Sequence, residues 1–362
     1  MKIIKNKEKK NILFYCPFIN RGGIETTLIK YANFLSKFYA VSIFTNSYSQ
    51  SVLSKINKKI KINNLKNKLY LKSRLINDYM VFKNLSKELD KNTVIFSLQD
   101  HYLILILNYL FFKSKIIIRT SSIIPNRKNY LEQKHLKNIF IKKYFLDIYR
   151  FADKVITFSK DNVKIFRTKN INSICIYNYF KKQKIVKIIK NKKLNIFFIG
   201  RFSFDKDPKF FLRNLLKIEN INIHLIGDGI EKNELKKIAN KKKNVFFHKF
   251  MDKPFEKFKS KIHLLCITSK YDGTPNVMGE AMSFGIPILA PKYIGLTKFF
   301  LKNGKYGYLY NNESDLSFKK KIFEILNGYD DAKKKAKLGY ESLYRFNKKN
   351  TLYKILNVVK KL

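Results

Sequence analysis

Several kinds of residue are scarce in this 362-residue chain, and each scarcity excludes a class of protein. No apolar run reaches about 18 residues, so the sequence predicts no membrane-spanning helix. The three cysteines, Cys16, Cys175 and Cys266, lie far apart in apolar runs, which predicts buried thiols in a reducing compartment rather than a disulfide framework or a metal site. The N-terminal segment lacks a long apolar stretch and a small-residue cleavage site, which argues against a signal peptide.

Acidic residues are also scarce. The chain has 26 Asp and Glu against 75 Lys and Arg, a formal net charge of +49. Such a charge suits a polyanionic partner, either nucleic acid or an anionic membrane surface. The basic excess is spread evenly over both halves without a basic tail, so drift in composition explains most of it. Because no nucleic-acid-binding motif is present, we expect an anionic membrane surface and no nucleic acid as partner.

Short apolar runs alternate with polar segments of helical length, which predicts an α/β protein with parallel sheets buried on both faces. The first half contains such runs at 11–16, 41–44, 93–98, 115–120, 154–159 and 173–178, and the second half at 194–200, 221–227, 244–250, 262–268, 286–291 and 306–310. Because open sheets of twelve strands are rare, the pattern predicts two Rossmann-like domains. We place them at residues 1–182, joined by a C-terminal helix at about 345–362, and at 190–344. The lysine-rich tail from Asp330 is read as a solvated helix.

Glycine is rare in the first half, where Gly22 and Gly23 are the only two before Gly200. They follow the first predicted strand and precede the helical segment 24–38. A glycine turn between a strand and a helix N-terminus is the geometry that binds an anion. A tight turn without a ligand is the alternative, and the absence of G-x-G-x-x-G leaves little support for a dinucleotide site.

The segment GRFSFDKDP follows the first strand of the second half. A helix is predicted to begin near Pro208, which suits a first helical turn. Arg201 and Lys206 lie in the intervening loop, at the carboxyl end of a parallel strand, where open α/β sheets bind ligands. A guanidinium and an ammonium suit a diphosphate, and ordinary surface charges are the alternative interpretation in a chain with 75 basic residues.

The segment DGTPNVMGEAMSFG, residues 272–285, concentrates glycine and proline. It predicts a helix with Thr274 as N-cap, Pro275 in the first turn and Gly285 as the stop. The backbone N–H groups of Asn276 and Val277 would then face a phosphate.

Two acids flank the start of this predicted helix. Glu280, about one and a half turns in, would hold the hydroxyl groups of a ribose, and Asp272 would lie nearer the reacting end. The small residues Gly279, Ala281 and Ser283 allow either close packing or close approach of a ligand. A capped helix with surface acids is the alternative interpretation.

Taken together, these segments resemble the retaining glycosyltransferases of the GT-B fold, in the glycogen-synthase-like group 1 family that builds bacterial envelope polysaccharides such as lipopolysaccharide and capsule. The resemblance covers nearly the whole chain and is carried by residues 21–28, 198–208, 224–235, 244–250, 272–290 and 304–310. The segment 272–290 is similar to the family's E-x₇-E element, with Asp272 in place of the first Glu. Many members have a histidine after the strand that corresponds to 115–120, where this chain has none. His101 is the substitute candidate, either as a cleft residue or as a structural histidine.

The resemblance implies two parallel-sheet domains facing across a cleft and transfer of a sugar with retention of configuration. The donor would be a nucleotide sugar, expected to be a UDP-sugar, held by the second domain, and the acceptor a glycan or a lipid-linked glycan facing the first. No cofactor and no metal are expected. The implied catalytic residues are Arg201, Lys206, Asp272 and His101, and the implied donor-binding residues are Gly22, Gly23, Asn276, Val277 and Glu280. The expected location is cytoplasmic and peripheral, at the inner face of the cytoplasmic membrane, with segments such as 142–154 on anionic lipid.

Two other functions remain open from the sequence. One is a sugar-nucleotide epimerase of the same fold, which would act on the nucleotide sugar without an acceptor. The other is a non-enzymatic protein that binds polyanions through its charge.

Overall fold

The computed structural model of the chain describes residues 10–19, 22–65, 74–90, 92–99, 101–120, 146–185, 193–270, 276–292, 296–312 and 314–362, with side chains from residue 79 onward in the segment 74–90. It divides into two compact units, Met1–Asn178 with Lys349–Leu362, and Tyr179–Lys348. The boundary predicted between residues 182 and 190 lies at 178–179, and the return to the first unit, predicted near 345, lies at 348–349.

The first unit contains a seven-stranded parallel sheet in the order β5–β3–β1–β6–β7–β8–β9. Its strands are β1 (Asn11–Tyr15), β3 (Ala40–Thr45), β5 (Lys61–Asn64), β6 (Thr93–Ser97), β7 (Lys115–Arg119), β8 (Lys154–Thr157) and β9 (Ser173–Cys175). Two short strands, β2 (Phe18–Ile19) and β4 (Ser47–Tyr48), pair separately. The helices are α1 (Gly23–Leu35), α2 (Gln50–Leu53), α3 (Arg74–Leu85), α4 (His101–Leu107), continued by the π-helical turn Asn108–Phe112, and α5 (Lys160–Arg167).

The second unit contains a six-stranded parallel sheet in the order β12–β11–β10–β13–β14–β15. Its strands are β10 (Leu194–Ile199), β11 (Ile221–Ile226), β12 (Val245–His248), β13 (Leu264–Cys266), β14 (Ile288–Pro291) and β15 (Tyr308–Tyr310). Its helices are α6 (Pro208–Leu215), α7 (Lys232–Ala239), α8 (Pro254–Phe258), α9 (Asn276–Ser283), α10 (Thr297–Phe300), α11 (Asp315–Asn327) and α12 (Tyr329–Glu341). The last helix, α13 (Lys348–Lys360), lies almost wholly in the first unit.

The α/β fold with two parallel sheets is confirmed, and all twelve predicted strands are present. β5 was not predicted because its sequence, KINN, is polar. It lies at the edge of its sheet and is only partly buried, so it has no need of a continuous apolar run.

In each sheet the order in which the chain adds strands reverses at one point. The chain builds outward from β1 to β3 and β5, and then continues on the other side of β1 with β6. It does the same from β10 with β13. Loops that leave neighbouring strands in opposite directions open a crevice at the carboxyl ends, and ligands bind there in open α/β sheets. The topology therefore directs attention to the loops after β1 and β6 and to those after β10 and β13.

The lysine-rich tail is not a solvated helix, which corrects the prediction. Apolar residues recur along α13 at helical spacing and are buried: Leu352, Ile355, Leu356 and Val359. The hydroxyl of Thr351 donates a hydrogen bond to the carbonyl of Tyr177 (3.2 Å), and the ring of Tyr353 lies 6.3 Å from that of Phe34. The lysines occupy the other face of the helix, so composition alone concealed the buried one.

The predicted burial of the cysteines holds for Cys16 and Cys266, whereas Cys175 is half-buried, and all three are free thiols. Within the described ranges, no helix has both the length and the apolar character needed to cross a bilayer.

The smallness of Gly279 serves packing. A Cβ atom at this position in α9 would overlap the ring of Phe180. That ring cannot easily move, because it is buried and lies about 6 Å from the rings of Phe300 and Phe346 (6.0 and 5.9 Å between centroids). Of the two interpretations of this glycine, close packing is the one that the structure supports.

Two histidines on neighbouring strands share a hydrogen bond. Nδ1 of His224 in β11 lies 3.0 Å from Nε2 of His248 in β12. The ring of His224 is also stacked between those of Phe197 (4.4 Å) and Phe246 (4.8 Å). Burial, and then the neighbouring His248, lower the pKa of His224 to about 4, and burial lowers the pKa of His248 as well. Both rings are therefore neutral at pH 7.

The Gly279→Ala variant should lower the free energy of unfolding of the second unit by up to about 2 kcal/mol, which is an overpacking cost of about 1–3 kcal/mol less a gain of about 1 kcal/mol in helix propensity. Urea-induced unfolding measures the change. The same substitution in a Phe180→Leu background should be neutral or stabilising. A loss of equal size in both backgrounds would show that the Phe180 contact is not its cause.

Acid should destabilise the second unit through His224. Its folded pKa of about 4 lies below the unfolded value of 6.5, so the unfolded chain binds more protons in this window and stability falls as the pH falls through it. In His224→Phe, which keeps the aromatic stack, the loss between pH 7 and pH 4.5 should be smaller by about 2 kcal/mol. Urea unfolding at the two pH values checks this, and an unchanged loss in the variant would contradict it.

Candidate active site

The β10–α6 loop, residues 200–207, is held on one side by the loop that follows β11. The backbone N–H of Phe202 donates to the carbonyl of Asp228 (2.8 Å), and the N–H of Glu231 donates to the carbonyl of Phe202 (3.1 Å). These are backbone-to-backbone hydrogen bonds, so they hold the path of the loop whatever side chains it carries.

Two glycines make this close approach possible. Gly227 and Gly229 have φ angles of 155° and 153°. A Cβ atom at Gly227 would overlap the carbonyl oxygen of Gly200, and one at Gly229 would overlap that of Phe202. Only glycine accommodates both the backbone angle and the contact, so these residues are needed to bring the two loops together.

The other side of the β10–α6 loop is held by the segment after β13. The hydroxyl of Thr268 is buried, lies 3.1 Å from the carbonyl oxygen of Lys206 and 3.0 Å from that of Asp207, and donates to this pair. The N–H of Lys270 donates to the carbonyl of Asp205 (2.9 Å). The loop is therefore fixed between two neighbours, at the point where the sheet order reverses.

Asp207 ends the loop and begins α6. It has a left-handed backbone (φ 46°), and its Oδ1 accepts a hydrogen bond from the N–H of Phe210 (3.1 Å), with Pro208 in the first turn. The predicted helix start near Pro208 is thus confirmed. The other carboxylate oxygen of Asp207 lies 3.3 Å from Nζ of Lys270, so the charge of Asp207 is balanced by the helix N-terminus and by Lys270.

Arg201 and Lys206 both lie in this fixed loop, where Arg201 is exposed and Lys206 half-buried. Lys270 is a third basic residue at the same edge, and sequence reasoning missed it, although its position directly after a predicted strand was an available signal. Its ammonium lies 4.3 Å from the ring centre of Phe204, an exposed residue of the loop. Three basic residues at the carboxyl edge of β10 and β13 suit a polyanionic ligand, and their individual roles remain predictions.

α9 follows β13 and begins at Asn276, so the N–H groups of Asn276 and Val277 belong to its first turn, at the same sheet edge as the β10–α6 loop. Glu280 lies in the second turn and is partly buried. Gly285, with φ 68°, follows the helix end as predicted. Asp272 lies outside the described residues, as do Thr274 and Pro275.

In the first unit, Gly22 is the N-cap residue of α1 and Gly23 its first residue. The carbonyl of Gly22 accepts hydrogen bonds from the N–H and the hydroxyl of Thr26 (3.2 and 2.9 Å). The helix predicted to follow the glycine pair is confirmed.

Glu25 lies against this turn and was not identified from the sequence. Its side chain is 9% exposed, and its Oε2 atom would lie 2.7 Å from a Cβ atom at Gly22. Burial, and then the charge of Glu25, raise the pKa of Cys16 to about 12. A carboxylate of the chain therefore lies at the helix N-terminus that the sequence assigned to an anionic ligand. The available signal was an acid in the first turn of a predicted helix, where carboxylates are favoured.

His101 is the first residue of α4 and follows β6, at the corresponding edge of the first sheet. Its Nδ1 shares a hydrogen bond with the hydroxyl of Ser97 (2.9 Å), and its ring lies 6.1 Å from that of Tyr149. Burial lowers the pKa of His101 to about 4, and the charge of Arg119 acts in the same direction. The ring is neutral at pH 7. The contacts with Ser97 and Tyr149 are those expected of a structural histidine, and a role of His101 in a reaction remains a prediction.

Comparisons with known proteins give this geometry a context. Residues 180–342 match the family model described as Glycosyl transferases group 1, and this range covers nearly all of the second unit. Among curated proteins, the chain is 26% identical over 330 residues to the GalNAc-alpha-(1->4)-GalNAc-alpha-(1->3)-diNAcBac-PP-undecaprenol alpha-1,4-N-acetyl-D-galactosaminyltransferase of Campylobacter jejuni, an alignment that covers 87% of this chain and 89% of the relative.

Solved structures share the fold over the whole chain. HepE of Anabaena, solved in complex with UDP and glucose, superposes with a TM-score of 0.78 at 16% identity, covering 98% of this chain and 100% of that one. Sucrose-phosphate synthase from Thermosynechococcus elongatus superposes with a TM-score of 0.80 at 14% identity, covering 98% and 99%. Residues 180–342 therefore resemble the group 1 glycosyltransferases, within a chain whose two-sheet α/β fold is that of the GT-B glycosyltransferases.

Proposed function

We propose that this protein is a retaining, metal-independent glycosyltransferase that moves a sugar from a UDP-sugar to a glycan or lipid-linked acceptor in the synthesis of envelope polysaccharide. The observation that carries the proposal is the fixed β10–α6 loop with Arg201 and Lys206, at the reversal point of a sheet that matches the group 1 family. The UDP bound to HepE supports the choice of nucleotide. The undecaprenol-linked acceptor in the name of the Campylobacter relative supports a lipid-linked acceptor and work at the inner face of the cytoplasmic membrane.

The proposed role of the two basic residues follows from the charge of the leaving group. When the bond between the sugar and the diphosphate breaks, negative charge develops on the phosphate oxygens. Arg201 offers a planar pair of donors and Lys206 a point charge, and both stabilise that charge without a metal ion. The first-turn N–H groups of Asn276 and Val277 add a helix N-terminus that favours the same anion.

The carboxylates hold the neutral parts of the donor in this proposal. Glu280 accepts hydrogen bonds from the ribose hydroxyls, and Asp272 accepts from the transferred sugar. The acceptor hydroxyl attacks the anomeric carbon on the face from which the diphosphate leaves, and its proton passes to a phosphate oxygen of the departing UDP. The bond to phosphate breaks with its electron pair on the phosphate, so configuration is retained without a protein nucleophile.

The resemblance implies a donor-binding role for Gly22 and Gly23. Because the carboxylate of Glu25 lies at this helix N-terminus, we assign the acceptor instead to the carboxyl edge of the first sheet, near these two glycines and His101. A neutral His101 is able to accept a hydrogen bond from an acceptor hydroxyl or to donate one. Glu25 beside Gly22 offers a second acceptor of hydrogen bonds at that edge.

Loss of the two loop cations should abolish tight donor binding. We expect Arg201→Ala/Lys206→Ala to weaken UDP binding by roughly 100-fold or more, since each hydrogen bond to a charged group contributes about 1.5–3 kcal/mol. Isothermal titration calorimetry with UDP measures this. The matched control, Arg213→Ala/Lys217→Ala, removes two exposed basic residues of the same unit and should leave the affinity unchanged.

Turnover tests the reaction itself. Wild-type protein incubated with a panel of nucleotide sugars should hydrolyse one of them slowly, in EDTA as well as in buffer, and should release UDP faster with an acceptor. Isomerised nucleotide sugar without an acceptor would identify an epimerase instead. UDP affinity that is equal in the wild type and the double variant would remove the basis of the proposal.

Thr268 should act as a positioning residue for Lys206. Thr268→Val keeps the side-chain shape but removes the hydroxyl from the carbonyls of Lys206 and Asp207, so we expect a stability loss of about 1–2 kcal/mol and UDP binding weaker by about tenfold. Thr268→Ser keeps the hydroxyl and should retain most of the affinity. Calorimetry and urea unfolding on both variants check this, and equal UDP affinities for Val and Ser would refute the positioning role.

A further inference from the structure

One surface of the first unit is apolar where the rest of the chain is highly charged. Residues 102–112, YLILILNYLFF, contain no charged side chain, in a protein of which 28% is charged. They form α4 and its π-helical continuation, and one side of this segment buries Ile104, Leu105 and Asn108 in the first unit. A surface helix of a globular protein normally turns polar residues to the solvent, and this one does not.

The outward side of the segment exposes large apolar groups. We define the apolar ridge as Tyr102, Ile106, Tyr109, Leu110, Phe111 and Phe151, whose exposed fractions lie between 36% and 59%. Residues 102, 106 and 109 follow the helical repeat, so the ridge runs along the length of α4. It begins beside His101, at the carboxyl edge of the first sheet, and ends at the π-helical turn before β7.

Aromatic contacts join the ridge to the neighbouring elements. The rings of Tyr109 and Phe151 are 4.4 Å apart, and those of Phe111 and Phe82, in α3, are 4.8 Å apart. The ridge is therefore a continuous feature of α3, of α4 with its π-helical turn, and of the 3₁₀ turn Ile148–Phe151, and not a set of isolated side chains. Exposed apolar groups that are gathered in this way mark an interaction surface.

Basic residues border the ridge on these same elements. Lys83 follows Phe82, Lys113 follows the π-helical turn, and Arg150 precedes Phe151, and all three are exposed. Two acidic residues that the structure describes near the ridge are paired. Asp147 lies within ion-pair distance of Arg150 and Lys169, and Asp153 of Lys115. Among the described side chains the border is therefore positive overall, as the whole chain is.

We propose that the apolar ridge inserts into the interfacial layer of an anionic bilayer and holds the first unit on the membrane. Tyrosine and phenylalanine beside lysine and arginine are the side chains that anchor proteins at this layer, the rings among the upper acyl chains and the charges at the headgroups. A second copy of the chain fits less well, because two proteins of formal charge +49 repel each other, whereas an anionic surface attracts each of them.

This inference rests on the proposed function for its biological setting, since a lipid-linked acceptor is confined to a membrane. It also refines the sequence-based expectation for residues 142–154. Of the part that the structure describes, Phe151 belongs to the ridge, while Leu146 and Ile148 pack against the core.

Flotation of the full-length protein with vesicles tests the ridge. With vesicles of phosphatidylcholine and phosphatidylglycerol, Leu110→Ser/Phe111→Ser should reduce the vesicle-bound fraction by about tenfold or more, because two apolar side chains no longer leave water. The matched control Leu316→Ser/Tyr344→Ser alters two apolar residues of the second unit that are 81% and 73% exposed, and should bind as the wild type does. Vesicles of phosphatidylcholine alone should bind all forms weakly.

A fluorescence measurement tests insertion of the ridge directly, without relying on the vesicle-bound fraction. The chain contains no tryptophan, so Tyr109→Trp introduces a single reporter. Its emission should shift to the blue on addition of anionic vesicles and be quenched by brominated lipid, whereas that of Tyr344→Trp should do neither. Equal binding of the ridge and control variants, or an unshifted Tyr109→Trp emission, would overturn the proposal.

Two further readouts separate the possible failures. If light scattering shows a wild-type dimer that Leu110→Ser/Phe111→Ser converts to a monomer, the ridge is a self-association surface and the proposal is wrong. UDP affinity, measured on the same samples, should not change in the ridge variants. Lost vesicle binding with intact UDP affinity supports the ridge, and absent UDP binding in the wild type would refute the proposed function while leaving the vesicle result standing.

Discussion

The candidate active site depends on the backbone contact between the β10–α6 loop and the loop after β11. Gly227 and Gly229 lack the Cβ atoms that would push these loops apart, and the carbonyl and N–H groups of Phe202 are used in hydrogen bonds across the gap. Thr268 closes the other side. Most of the contacts that hold the loop are made by neutral backbone groups and the Thr268 hydroxyl, and an ion pair between Asp207 and Lys270 is added at its end. Two basic side chains are then kept in one short loop although like charges repel.

The fold could be predicted almost completely because parallel strands carry their own signal. A strand that is buried on both faces is a continuous apolar run, and each of the twelve runs forms a strand. β5 was not predicted because an edge strand needs only partial burial and so lacks a continuous apolar run. The burial of the C-terminal helix was not predicted because lysines dominate its composition. Its burial depends instead on the helical spacing of Leu352, Ile355, Leu356 and Val359. In both cases the composition of a segment misled where its environment decided the outcome.

The site could be predicted less fully, because most of it consists of contacts between distant parts of the chain. The end of a strand and the start of a helix are local features, so Arg201, Lys206 and the start of α9 were within reach. The reason for Gly279 is the ring of Phe180, about a hundred residues away, and no local pattern reports it. Glu25 and Lys270 look like ordinary surface charges in the sequence. They are distinguished only by the turn and the loop against which they lie.

The return of α13 to the first unit has a consequence for biosynthesis. The sheet of that unit is complete once Cys175 has been made, but part of its apolar core is supplied by residues 351–359. During translation the first unit therefore exists for some 170 residues of elongation with an uncovered apolar surface, while the second unit, continuous in sequence, is able to fold as it emerges. The last helix, α13, therefore packs against the first unit only after the second unit has been synthesised. The core of the first unit is therefore complete only after residues 351–359 have been made.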